Sequence, residues 1–317
     1  MTKRIKSKIW EDQVLYQDGF SELADLITDV ENPIKVENFD DFVQRIFSKS
    51  YPNYDFNTWH VRKLSHEVDL VLGLENKYLL AVLPRYHLKS TILCYAAHIF
   101  RMLTAYGDGM LVSYKDELCN FHSSNIKSAI RDNEELAKVF HDEASRSDAI
   151  IKYKIGSRIC RIFSSGVLSV KRGIHVDLLL TADDVLGDLQ NPMVFTELDK
   201  VKRIFESEIV NIPNKDCPLF VFGTVIALND LLYSLRDNPN FRSIWLPALY
   251  PDAEHDVLWE KKYDRKWLEN RKVTSGWKAF STEFLLTPMM SMEAFLTKEA
   301  LDTVIDKSLT NYQVPGW

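Results

Sequence analysis

The sequence predicts an α/β protein: a mainly parallel central sheet flanked by helices, with a small helical lid or linker subdomain at the C-terminal end. Two observations carry this. Apolar runs of strand length recur, each followed by a helical stretch, as in "YLLAVLP" then "STILCYAAHIFRML", and "GMLVSY" then "KDELCNFHSSNIKSAI". In addition, 317 residues with 46% apolar side chains suffice to bury a full core.

In chain order, residues 1–56 read as an N-terminal helical appendage, because "FSELADLITDV" and "FDDFVQRIF" space apolar residues three and four apart. Residues 57–250 form the α/β core. Within it "DAIIKYKIGSRICRIFSS" interrupts the rhythm with two strand-like runs around Gly156, the pattern of an inserted hairpin. The alternation resumes with "VDLLLTADDV", the helical "FTELDKVKRIFESEIVNI" and "PLFVFGTV". Residues 251–317, rich in mixed charge and tryptophan, predict the lid or linker.

A formal charge of −6 argues against a whole surface that coats nucleic acid or anionic membrane, so a polyanion would meet a restricted face. Cys94, Cys119, Cys160 and Cys217 form no CxxC pair and the histidines no HExxH, so buried free thiols and no structural zinc are expected. No apolar run reaches the length of a membrane span, and cytoplasmic residence is the expectation.

The chemistry-bearing stretch is "LPRYHLKST", between a strand-like and a helix-like segment. A phosphate loop aims backbone N–H groups and a helix N-terminus at phosphates, adding a lysine and a hydroxyl for magnesium. Leu83 and Leu88 stand where GxxxxGK[ST] has its glycines, so the bare pattern fails, and a solvated turn with Ser90 as helix cap is the plain alternative. A second half-motif raises the specificity: "VDLLLTADDV" is an apolar strand ending in Asp183 and Asp184, where one carboxylate orders magnesium and its neighbour polarises water. The segment from Lys152 to Arg172 holds Lys152, Lys154, Arg158, Arg161, Lys171 and Arg172 and no acid, a candidate phosphate-facing surface or a solvated hairpin face.

With "LPRYHLKST", the Arg172–Gly173 pair, "LLLTADDV", "FVFGTVIALNDLLYSL" and "FSTEFLLTPMM" in this order, the chain resembles the ATPase half of large terminase subunits, the DNA-packaging motors of tailed bacteriophages. The resemblance runs from about Trp59 to the C-terminus. It departs at Tyr86 and Leu88, which replace the family's two loop glycines; side chains there forbid or strain positive φ angles.

The resemblance implies a P-loop NTPase of the ASCE/RecA-like type that binds ATP and Mg²⁺ through Pro84, Arg85, Tyr86, His87, Leu88, Lys89, Ser90 and Thr91. Lys89 would bridge the β- and γ-phosphates, Ser90 and Asp183 would hold magnesium, and Asp184 would polarise water. Arg85 would meet the γ-phosphate, Arg172 would serve a neighbouring subunit as an arginine finger, Thr224 belongs to the coupling strand, and Trp59 and His60 match the adenine-contacting segment. It also implies double-stranded DNA, portal protein and small terminase subunit as partners. The chain would be a monomer in solution and a homo-oligomeric ring on the procapsid, in the host cytoplasm, and the family's C-terminal nuclease domain would lie outside this chain. A nucleic-acid-dependent helicase or translocase, and a non-catalytic nucleotide- or portal-binding module, remain the alternatives.

Overall fold

The structure, a computed structural model, describes residues 34–75, 77–143, 150–170, 173–187, 195–228, 230–250 and 256–288, with the backbone alone for 195–197. All of "FSELADLITDV", together with Lys171, Arg172 and the chain beyond 288, lies outside the described residues.

Eight strands form one sheet in the order β3-β4-β5-β2-β6-β7-β1-β8. They are β1 (Tyr78–Val82), β2 (Asp108–Ser113), β3 (His141–Asp142), β4 (Ile150–Ile155), β5 (Arg158–Gly166), β6 (Leu180–Asp183), β7 (Leu219–Gly223) and β8 (Arg242–Trp245). From β5 to β8 every neighbouring pair is parallel. The expected hairpin is present as the antiparallel pair β4–β5, turning at Gly156 with φ 57°. That left-handed conformation is one a glycine adopts without steric cost.

Along β1 and β7 the side chains alternate between two cores. Leu79, Ala81, Phe220 and Phe222 enter one, and Leu80, Val82, Leu219 and Val221 the other. Burial on both faces turns these strands into nearly unbroken apolar runs. Helices α1 (Trp59–Leu72), α2 (Ala97–Thr104, continuing a π-helical stretch Thr91–Ala96) and α3 (Asp116–Arg131) pack on the first face. The short α4 (Glu134–Val139) follows, and α5 (Phe195–Ser207) and α6 (Leu231–Arg236) cover the second face. Asp230 caps α6 by accepting a hydrogen bond from the Tyr233 N–H, an ordinary helix-capping role.

The expectation of an N-terminal appendage needs correcting for its described part. Phe39, Phe42, Val43, Ile46 and Phe47 are fully or almost fully buried in the first core, with the Phe39 and Phe42 rings 5.3 and 5.6 Å from Phe100 of α2. Their spacing marks an apolar face correctly, but spacing alone does not say what the face packs against. C-terminal to the sheet, α7 (Arg265–Ser275) and α8 (Trp277–Glu283) form a small subdomain around Val257, Leu268, Phe280 and Phe284. Trp259 departs from it and joins the first core.

All four cysteines are buried free thiols. Among the described residues no helix is long and apolar enough to cross a membrane.

Candidate active site

Parallel pairing brings the C-terminal ends of four strands to one edge. Val82 of β1 registers with Gly223 of β7, Phe222 of β7 with Asp183 of β6, and Asp183 with Ser113 of β2. β7 lies between β1 and the carboxylate strand β6, so loop and acids face each other across one inserted strand. Open α/β sheets bind ligands at this end.

The loop after β1 is tied to β7 and carries two residues in the left-handed region. Leu83 N–H donates to the Gly223 carbonyl, and Tyr86 and Leu88 both stand in the left-handed region, with φ 69° and 63°. They occupy the positions that carry glycine in the family the sequence resembles. Side chains there do not prevent the conformation; they hold it at a cost of about 1–2 kcal/mol each. Leu88 offsets part of that by burying its side chain, whereas Tyr86 is half exposed.

Lys89 emerges from the loop into the site, buried rather than on a solvated turn, with Nζ 2.7 Å from Asp184 Oδ2. Burial alone would lower its pKa, but Asp184 and Asp183 outweigh burial and leave it raised. Asp184 is itself at a positive φ of 46°. The Thr224 N–H donates to its Oδ1 at 3.0 Å, and the Thr224 hydroxyl donates to the Leu83 carbonyl, tying the β7 end to both loop and acid. Ser90 makes no helix-capping hydrogen bond through its side chain, contrary to the plain alternative.

Asp183 is almost fully buried, and neither carboxylate oxygen meets a donor in hydrogen-bonding geometry. Burial first, then the charge of Asp184, push its pKa up, while Lys89 and the Ser90 hydroxyl hold it back. A buried carboxylate with no well-aligned donor, beside a hydroxyl, is a hard oxygen set that fits magnesium, which typically takes one or two protein ligands and leaves the rest to phosphate and water.

His122, which the sequence reading passed over, lines the same site. Its Nε2 is 3.3 Å from Asp183 Oδ2 and its Nδ1 2.9 Å from the Tyr95 hydroxyl. Burial holds its pKa down at about 4, so the ring is neutral at pH 7. One signal was available: His122 shares the buried stripe of α3 with Cys119, Ile126 and Ile130, and a titratable group on a buried stripe requires a partner.

Lys89, Asp184, Thr224 and His122 line a cleft of about 610 Å³ together with Arg85, Tyr114, Phe121 and Glu283. Arg85 Nε is 3.1 Å from a Glu283 carboxylate oxygen at the end of α8, so the loop arginine joins the C-terminal subdomain in this state. Trp59 and His60 do not line this cleft, although the His60 ring lies 5.9 Å from that of His87 in the loop. His60 is fully buried against Trp259, 5.1 Å between rings, and Trp59 packs on Tyr250 at 5.9 Å. His60 thus has no face open to a base. Three of the four described hairpin cations are already engaged: Arg161 with Asp108, Lys152 with Glu143, and Arg158 with the Ala105 carbonyl.

Gly223 leaves room for this arrangement, since a Cβ there would stand 2.8 Å from Asp184 Oδ1. Gly223→Ala should displace the carboxylate and break its bond from Thr224. The expected result is a fall in turnover of about tenfold or more with an unfolding midpoint little changed, read by phosphate release and denaturant melts.

No protein-family model matches this sequence, and none of the curated proteins does. Solved structures do match. One is the large terminase ATPase domain of Thermus phage P74-26, at 13% identity and a TM-score of 0.47, over 67% of this chain and 88% of that one. Another is the HK97 bacteriophage large terminase, at 13% identity and 0.49, over 82% and 52%. A third is the large terminase of a thermophilic bacteriophage in complex with ATP-gamma-S, at 9% identity and 0.45, over 66% and 46%. The chain therefore spans about half the length of these last two proteins. Large terminases and a terminase ATPase domain are among the solved proteins to which this chain is similar.

Proposed function

We propose that this chain is a magnesium-dependent ATPase that drives double-stranded DNA into a procapsid. The observation that carries the ATPase reading is Lys89, delivered by a loop with two left-handed residues and facing the paired carboxylates at the end of β6. The packaging reading rests on the order of motifs in the sequence.

In this reading the terminal phosphates of ATP replace Asp184 as the partner of Lys89. Asp183 and Ser90 are the residues that would hold magnesium, which when bound neutralises charge on the β- and γ-oxygens. Asp184, released from Lys89 but still held by the Thr224 N–H, takes a proton from water as its oxygen attacks the γ-phosphorus in line with the departing ADP. Arg85 exchanges Glu283 for the phosphoryl oxygens, a planar fork suited to the purpose.

Asp184→Asn should leave ATP binding within a few-fold of wild type and lower steady-state phosphate release at least a hundredfold. Equal turnover in mutant and wild type would take the base role away from Asp184. A strand-displacement assay separates a helicase from a packaging motor.

Arg172 is proposed to complete a neighbouring subunit's site in a ring on portal protein. Mixing Arg172→Ala with Lys89→Ala under conditions of confirmed assembly should restore part of the activity that each lacks alone. If no mixture exceeds its parents, Arg172 acts within its own subunit or not at all.

A further inference from the structure

The side chain of Asp183 ends β6 with two buried oxygens to satisfy. Its neighbour in register on β2, Ser113, keeps a buried hydroxyl without a partner, so β2 gives the carboxylate no hydroxyl donor. A candidate donor stands on α3. His122 Nε2 lies 3.3 Å from Asp183 Oδ2, within reach but out of hydrogen-bonding alignment. The other ring nitrogen, Nδ1, is 2.9 Å from the Tyr95 hydroxyl, and both side chains are buried. Tyr95 belongs to the π-helical stretch Thr91–Ala96, which follows Ser90 directly and packs on α3. Such π-helical turns recur at functional sites, and this one carries the ring that meets His122.

We propose that His122, clamped by Tyr95, is a positioning residue for the carboxylate that holds magnesium. The inference rests on the nucleotide-binding reading above and adds to it the group that orients Asp183. A carboxylate that holds a metal ion is ionised and only accepts hydrogen bonds, so the proton of the neutral imidazole lies on Nε2. Nδ1 then accepts from the Tyr95 hydroxyl. A slight turn of Asp183 aligns Oδ2 with the Nε2–H and leaves Oδ1 for the metal; functional hydrogen bonds are often long until the ligand arrives. Magnesium favours oxygen over nitrogen, so His122 acts through the carboxylate and not on the ion. The helix that follows Ser90 thereby sets, through Tyr95 and His122, the orientation of the second magnesium ligand as well. Changing an outer partner of this kind costs about 10–100-fold in metal affinity or activity.

The test measures binding of AMP-PNP, a non-hydrolysable ATP analogue, to the full chain by titration calorimetry in magnesium and in EDTA. The ratio of the two affinities is the contribution of the metal, and the EDTA value alone reports an intact loop. His122→Leu should shrink that ratio about tenfold or more while binding in EDTA stays within a few-fold of wild type. His122→Gln, whose amide offers an N–H near the place of Nε2, should restore most of the ratio, and Tyr95→Phe should lose severalfold. Manganese in place of magnesium gives a second readout: the EPR lines of the bound ion should change in His122→Leu and return in His122→Gln. An unchanged ratio in His122→Leu, or an equal loss with and without metal, overturns the positioning role and leaves the phosphate site standing. Wild type that does not bind AMP-PNP in magnesium overturns the nucleotide reading, and this role with it. If His122→Leu does not fold, Tyr95→Phe decides, since a severalfold smaller ratio supports the clamp and an unchanged one overturns it.

Discussion

Lys89→Ala should lower Mg-ATP hydrolysis by on the order of a thousandfold or more and remove most ATP binding. The lysine is the only cation within 4 Å of Asp184 among the described ion pairs, and both line the same cleft, with Asp183 buried next to Asp184. Without it the β- and γ-phosphates would enter a site carrying two acids and no adjacent ammonium. The fold should survive, because Asp184 is one-third exposed and can be solvated once its partner is gone. Phosphate release and nucleotide titration check the first statement, and circular dichroism the second. Undiminished hydrolysis by Lys89→Ala would remove the phosphate-loop assignment.

Mild acid should destabilise the protein strongly. His60, His87, His98 and His122 are buried and neutral, with burial as the main cause holding their pKa values at about 3, about 4, about 3 and about 4. These values lie below the unfolded value near 6.5. The unfolded chain therefore binds more protons between the two limits, and stability falls as pH drops below about 6.5. At pH 5 each histidine costs about 2 kcal/mol relative to pH 7. Asp183 opposes them, since its raised pKa returns stability as pH falls, roughly cancelling one histidine. The net loss should be about 6 kcal/mol by pH 5, read from urea melts across pH. His98→Gln, which keeps a polar partner for Thr181, should reduce the acid slope by about one proton, or about 1.4 kcal/mol per pH unit. A flat profile from pH 7 to 5 would show that these rings are not buried neutral.

Most of the sheet and the acids at its edge were legible in the sequence because the strands are buried on both faces, which leaves apolar runs, and because functional groups stand where those runs stop. "LLLTADDV" and "YLLAVLPRYHLKST" are read in that way. What the sequence withheld depends on contacts between distant segments. His122 reaches Asp183 because α3 packs on β2 and β5, beside β6; its place on the buried stripe signals that it has a partner but not which one. Glu283 enters the cleft from the C-terminal subdomain to meet Arg85. The basic hairpin looked available because the partner of Arg161, Asp108, lies on a strand far away in sequence. Tyr86 and Leu88 were the hardest case. Their side chains argue against positive φ locally, yet the Leu83 and Thr224 contacts around the loop hold both residues there.

The most direct test of the central claim is the structure of the chain crystallised with Mg-ADP and aluminium fluoride. The expected density places the fluoride group within hydrogen-bonding distance of Lys89 Nζ, magnesium beside Asp183 and Ser90, and Asp184 separated from Lys89. Nucleotide bound elsewhere, with the Lys89–Asp184 pair still closed at 2.7 Å, would contradict it.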